Sequence, residues 1–239
     1  MGEGVKDDEN GRDEAKPHYL GHRHRLREKL LQHGADSLAD YELLELLLAL
    51  AIPRIDVKPL AKTLLKEFGS FAGVIGAEPS LLLKIRGMGE GAVAGLKTVK
   101  AAALRMTKQE LIDRPVIGNW QKLLDYCRIS LAEEKIEQFH LLFLNHKNEL
   151  IAHERQQTGT VDHAPVYPRE VVKRALQLDA SAIIMVHNHP SGDPTPSKDD
   201  VAMTKAVAAA AEKLGILLHD HVVVGRKGHK SMRSLGLLG

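Results

Sequence analysis

The sequence predicts two domains. A small all-helical domain spans about residues 20–108, and an α/β domain with a central mixed sheet flanked by helices spans about residues 118–239. Two observations carry this. Apolar residues recur at helical spacing up to about residue 106, then give way to short strand-like runs separated by helical stretches. Strands interleaved with helices are the pattern of a layered α/β domain. The chain is also long enough, at 239 residues with 44% hydrophobic and 27% charged, for one or two domains with real cores, which argues against disorder throughout.

Taken in order, residues 1–19 are charged, glycine-bearing and without apolar periodicity, and read as a disordered tail. A basic cluster follows: His22, Arg23, His24, Arg25, Arg27 and Lys29, with Leu26, Leu30 and Leu31 as its apolar face. A solvated helix face is the plainer reading, and a phosphate-contacting surface the alternative. Helical patterns cover residues 38–50, with Asp40 as a start, and 58–68, with Gly69 as a stop. A short helix then meets Ile85-Arg86-Gly87-Met88-Gly89-Glu90-Gly91 and a further helical run over 92–106. This is a helix-hairpin-helix pattern. Its glycines permit the tight turn, and N–H groups at the following helix start can hold a phosphate. Arg86, Gly87, Gly89 and Lys97 are the candidate nucleic-acid contacts, and a plain turn in a helical domain is the rival. Residues 109–117 read as a linker. Strand-like runs then occupy 139–144, 150–154, 182–186 and 217–224, with helical stretches near 168–178 and 198–214.

Composition narrows the function. The formal charge is +2, from 33 basic and 31 acidic residues, so net charge does not indicate wholesale coating of nucleic acid. Cys127 is the one cysteine, which excludes an intramolecular disulfide and any zinc site needing two thiolates. Its neighbours Leu124, Ile129 and Leu131 point to a packed thiol. The longest apolar run, 43–52, is far short of the roughly 20 residues that cross a bilayer, and the N-terminus has no apolar signal core. A cytoplasmic protein without a membrane partner is the expectation; the oligomeric state is left open.

The chemistry concentrates in His187-Asn188-His189-Pro190-Ser191-Gly192, followed by Ser197 and Asp200. An apolar strand ends in His-x-His, and period-two geometry turns both imidazoles to one side, where they can reach one ion. Three prolines and a glycine make a rigid turn. Ser197 then occupies a helix N-cap, with Asp200 in the first turn, able to come back toward the histidines. Two histidines and one aspartate leave a fourth position for water, as in a catalytic zinc site. Each piece alone is more often structural, since Ser-x-x-Asp caps helices unaided. The combined order, with seven residues between His189 and Ser197, is much rarer. A second His-x-His, His219-Asp220-His221, lacks the downstream Ser-x-x-Asp. Alternation places its histidines on one face, and a structural or supporting role is favoured. His140, His146, His153, His163 and His229 show no ligand spacing and read as ordinary. Arg169 reads as an ion-pair partner within the fold, with a contact to substrate as the alternative.

His-x-His followed after seven residues by Ser-x-x-Asp resembles the JAMM (MPN+) metalloprotease motif. The whole chain, over about residues 20–235, resembles bacterial RadC-like proteins. That likeness rests on Glu137-Gln-Phe-His-Leu-Leu-Phe-Leu144, Gly159-Thr160-Val161, Tyr167-Pro168-Arg169-Glu170, the His187 motif, Asp220-His221, residues 34–45 and the Gly87-Met88-Gly89 hairpin. The resemblance implies Zn2+ held by His187, His189 and Asp200, with Ser197 bonding a developing oxyanion. It also implies a general-base glutamate before an apolar strand, a place that Glu137 occupies. Glu154 is the competitor, and Glu133 and Glu134 lie closer to the linker. The expected function is zinc-dependent hydrolysis of a peptide or isopeptide bond in an unknown protein substrate, with DNA association through the helical domain. The rivals are a DNA-repair accessory without hydrolytic activity and a metal-dependent nuclease. A nucleobase deaminase is excluded, because that chemistry needs at least two cysteines.

Overall fold

The computed structural model describes residues 18–111, 115–158 and 166–238. Most of the N-terminal tail, the Gly159-Thr160-Val161 segment and His163 lie outside them; residues 18 and 19 already belong to a helix. The helical domain comprises α1 (His18–His33), α2 (Asp40–Ala51), α3 (Lys58–Phe68), α4 (Phe71–Gly76), α5 (Pro79–Leu82) and α6 (Glu90–Gln109). Local chemistry sets these ends. The Glu42 carboxylate accepts from the Ala39 amide at 2.9 Å at the start of α2. Ser70 Oγ accepts from Gly73 N at 2.9 Å at the start of α4. Gly69 closes α3 in the left-handed region, at φ 82°. The domain's core is built from Leu44, Leu48, Leu60, Leu64, Val74, Leu82, Val93 and Leu96.

The basic cluster on α1 is divided. Arg25 and Arg27 face solvent, while Arg23 is buried and donates to the carbonyls of Ile52, Pro53 and Ile55, just past the end of α2. Arg23 thus satisfies carbonyls left without helical partners. Of the predicted apolar face, Leu26 is buried but Leu31 is 84% exposed. Leu26 and Leu30 are four apart and share a face; Leu31 lies a further 100° around the helix.

Two described residues of the expected linker, Leu111 and Val116, are packed with the residues of α7 (Trp120–Leu131), and Val116 N donates to Asn148 O at 2.8 Å.

The C-terminal domain adds β1 (Gln138–Leu144), β2 (Leu150–Thr158), α8 (Pro168–Gln177), β3 (Ala182–Asn188), α9 (Lys198–Glu212), β4 (Leu217–Gly225) and β5 (Gly228–Ser231). The sheet order is β2-β1-β3-β4-β5, with β3 and β4 parallel and the other neighbours antiparallel. The α7 helix covers one face through Leu123, Leu124, Cys127 and Leu131, while α8 and α9 cover the other through Val171, Ala175, Val207 and Ala211. Covered on both faces, β3 reads as an unbroken apolar run. Cys127 is part of the α7 core, and burial pushes its thiol up to about 12.

One irregularity corrects the expected placement of the second His-x-His. Ile183 pairs with Leu218 but Ile184 pairs with Asp220, so His219 is an extra residue in β4. This bulge breaks the alternation that would have kept His219 and His221 together. His221 goes to the core beside β3, whereas His219 turns to Asn148 Oδ1 at 2.6 Å. Among the described residues, no helix is long and apolar enough to cross a membrane.

Candidate metal centre

The site forms where β3 ends and α9 begins. His187 is the penultimate residue of β3 and is fully buried. His189 lies just beyond the strand, tied to the sheet by its amide, which donates to Val224 O at 2.9 Å. The loop that follows folds back on itself. Gly192 N donates to His189 O, and Asp193 Oδ1 accepts from the amide and hydroxyl of Thr195 at 2.9 and 2.7 Å. The His189 ring is oriented by Nδ1, which lies 2.9 Å from Asp193 O. A carbonyl only accepts, so Nδ1 carries the proton there and a neutral His189 presents an unprotonated Nε2.

Ser197 caps α9 as anticipated. Its Oγ accepts from Asp200 N at 3.1 Å, and its own amide donates to Asp200 Oδ2 at 2.7 Å. The Ser197 hydroxyl also donates to Asp200 Oδ2, at 2.7 Å. The cap therefore aims the carboxylate at the histidines. Asp200 Oδ1 is 3.3 Å from His187 Nε2, Asp200 Oδ2 is 3.4 Å from His189 Nε2, and the two Nε2 atoms are 3.0 Å apart.

Those distances test the fit of an ion. Ligand atoms about 2.0–2.1 Å from a tetrahedral zinc stand about 3.3–3.4 Å from one another. The two contacts from the histidines reach different carboxylate oxygens, at 3.3 and 3.4 Å, and the Nε2 atoms are closer, at 3.0 Å, so the three side chains converge on one small space. Two imidazole nitrogens with a carboxylate oxygen are a donor set that zinc accepts. Burial works to raise the Asp200 carboxyl, but wherever His187 and His189 carry a proton on Nε2 their hydrogen bonds outweigh it and hold the group well below the usual carboxylate range. The same bond to Asp200 raises His189.

Glu137 stands immediately before β1, half-buried and close enough to His189 for its charge to add to that rise. What holds it there is Asn188, which sequence reasoning missed. Asn188 is fully buried. Its Oδ1 accepts from Gln138 N at 2.8 Å, and its Nδ2 donates to Glu134 O at 3.2 Å and Ile136 O at 3.1 Å. The residue between the two candidate histidine ligands thus pins the segment that carries the candidate base. A signal was present: a lone amide on a buried apolar strand must find partners. Glu154 is otherwise engaged. Arg174 donates to both its oxygens, at 2.6 to 3.1 Å, and this contact lowers the carboxyl's pKa.

The candidate nucleic-acid residues belong to the helical domain and do not join this cluster. Arg86 is exposed, and Gly87 supplies the turn at φ 95° ahead of Gly89 and α6. Lys97 points inward, donating to Ile75 O at 2.8 Å and to Ala77 O. Arg169 is exposed and pairs with Glu170 at 3.3 Å.

The loop bearing His189 is clasped from below. Lys227 N donates to Gly192 O at 3.0 Å, and Arg226 Nη2 donates to Ser191 O at 3.0 Å. At Gly225, an added Cβ would lie 2.4 Å from Gly192 O and 2.7 Å from its carbonyl carbon. Both are backbone atoms, so the loop itself would have to move. Gly225→Ala is expected to cost about 1–3 kcal/mol, the range for overpacking, and to weaken zinc binding. Gly95→Ala, which meets open space on α6, should do neither. Urea unfolding and zinc titration of the two variants check this.

A family model described as RadC-like JAB domain matches residues 117–237, and one described as UPF0758 N-terminal matches residues 19–94. A UPF0758 protein of Rhodobacter capsulatus is 58% identical over 213 residues, which is 89% of this chain and 100% of that protein.

Proposed function

The chain belongs to the RadC-like JAB-domain family, and from that premise we propose that it is a zinc-dependent hydrolase of peptide or isopeptide bonds. The observation that carries the reading is the convergence of His187 Nε2, His189 Nε2 and the Asp200 carboxylate within 4.8 Å of one another, with the charge of Glu137 felt at His189. Zinc held by these three residues supplies a Lewis acid and a water whose pKa falls toward about 7. The remaining work falls to the chain. Glu137 takes the proton of the attacking water on its carboxylate and delivers it to the leaving amine. Ser197 Oγ, at the N-cap of α9, turns its hydroxyl proton from Asp200 Oδ2 to the carbonyl oxygen as charge develops there. Asn188 keeps Glu137 in reach by fixing both sides of its backbone.

A single centre favours acyl over phosphodiester chemistry, which often uses two metals. Among the described residues, one group of three ligating side chains converges. The proposal is confined to the C-terminal domain. Lys97 is turned inward, and the first turn of α6 carries an acidic residue, Glu90.

Elemental analysis tests the reading. Wild type should hold about one zinc per chain, and His187→Ala and Asp200→Ala should each hold less than about a tenth of that. A folded wild-type protein that takes up no zinc after resupply overturns it.

A further inference from the structure

We propose that Thr204 and His221 are positioning residues that fix the tautomer of His187, so that its Nε2 faces the metal position as a lone pair. This rests on the metal-centre reading above.

The argument is one of hydrogen positions. Thr204 lies one turn beyond Asp200 on α9 and is fully buried. Its Oγ1 is 2.6 Å from Asp200 O, 2.5 Å from His221 Nδ1 and 3.3 Å from Met232 Sδ. A hydroxyl has one proton to give, and the short contact to a carbonyl requires it, because the carbonyl has none. Oγ1 therefore accepts from His221, whose Nδ1 must carry a proton. His221 is also fully buried, and a neutral imidazole with its proton on Nδ1 has none on Nε2. Its Nε2 is then a bare acceptor, 2.7 Å from His187 Nδ1. So His187 carries its proton on Nδ1, and its Nε2 is unprotonated.

The relay runs in one direction, from His187 through His221 and Thr204 to the backbone carbonyl of Asp200. It begins at one candidate ligand and ends at the backbone of another. Phe139 restrains both rings, stacking on His187 at 5.9 Å between centroids and meeting His221 edge-on at 5.5 Å. The consequence is a set of acceptors without a hydrogen between them. His187 directs its proton to His221, and His189 directs its own to Asp193 O. Two lone pairs and a carboxylate then face one another across about 3 Å, an arrangement that a cation relieves.

Thr204→Val removes the hydroxyl at nearly constant volume, and Thr204→Ser retains it. Two readouts decide. In long-range 1H–15N spectra of the 15N-labelled protein as isolated, His221 should be protonated on Nδ1 and bare at Nε2. In chelator competition, Thr204→Val should bind zinc about 10–100-fold more weakly, the usual effect of losing a partner of a metal-bound histidine, with Thr204→Ser close to wild type. A His221 proton on Nε2 overturns the proposal, and this measurement on wild type stands even if Thr204→Val does not fold. Wild-type zinc affinity in folded Thr204→Val overturns it too, while leaving the metal centre intact. Failure of the wild type itself to bind zinc overturns the metal-centre reading and the relay together.

Discussion

Glu137→Gln is expected to keep about one zinc per chain while lowering hydrolysis by roughly 10²- to 10⁴-fold, the usual contribution of a positioned general base. That loss corresponds to about 3–5 kcal/mol of transition-state stabilisation. Glutamine matches glutamate in shape but cannot take a proton from water. Glu137 is not one of the three converging ligands, so metal content should hold. The separation of the two readouts is the point. Loss of zinc would make Glu137 a ligand or a structural residue, and full activity with full zinc would make another group the base. Glu154→Gln is the control. Its carboxylate is already forked by Arg174, so the substitution disturbs that pair and should leave the rate near wild type.

How much of this was legible in the sequence depends on the range over which each signal acts. The convergence of the candidate ligands was legible because strand, turn and N-cap follow one another along the chain, so His187, His189 and Asp200 are brought together by local geometry. The sheet strands showed for the same reason, each being a short apolar run. The α7 helix did not, although Leu123, Leu124, Cys127 and Leu131 line up on one face, because it follows a stretch with linker-like proline and glycine. Nor did β5, four residues of polar character at a sheet edge. What alternation cannot reveal is a bulge, and the extra His219 sends its neighbour His221 to His187 instead of away from it. Asn188, Arg23 and Lys97 share a different difficulty. Each is polar in sequence but is held by backbone groups 20 to 54 residues away. Only the folded chain shows that these side chains are internal fasteners. The basic appearance of the helical domain is correspondingly weaker in three dimensions than in one.

The second large effect concerns two histidines that looked ordinary. His140 on β1 and His153 on β2 face α7, within a line of hydrogen bonds that has a direction. Gln138 Nε2 donates to Glu134 Oε2 at 2.9 Å, leaving Gln138 Oε1 to accept from His140 Nε2 at 3.2 Å. His140 Nδ1 must then accept from His153 Nε2 at 2.8 Å, and His153 Nδ1 from the Tyr126 hydroxyl at 2.6 Å. Every nitrogen in this line is assigned with one proton per ring, so neither ring has a place for a second. Burial lowers both, His140 to about 3 and His153 to about 4, and repulsion from His153 adds to the effect at His140. In the unfolded chain each titrates near 6.5. Between about pH 4 and 6.5 the unfolded state therefore binds protons that the folded state refuses. Stability rises with pH across this window and is lost as pH falls through it. Each such histidine contributes a slope of up to about 1.4 kcal/mol per pH unit, against a total stability of about 5–15 kcal/mol for a typical protein. His219 and His221 are lowered as well and act in the same direction, so the wild-type slope alone does not isolate the pair. The difference does: His153→Gln should flatten the slope by about 1.4 kcal/mol per pH unit between pH 5 and 6, read from urea midpoints. Equal slopes in the two proteins would mean that His153 accepts a proton in the folded state and that the line of hydrogen bonds reverses to admit it. The line ends at Glu134, which also receives Lys100 of α6 at 2.8 Å.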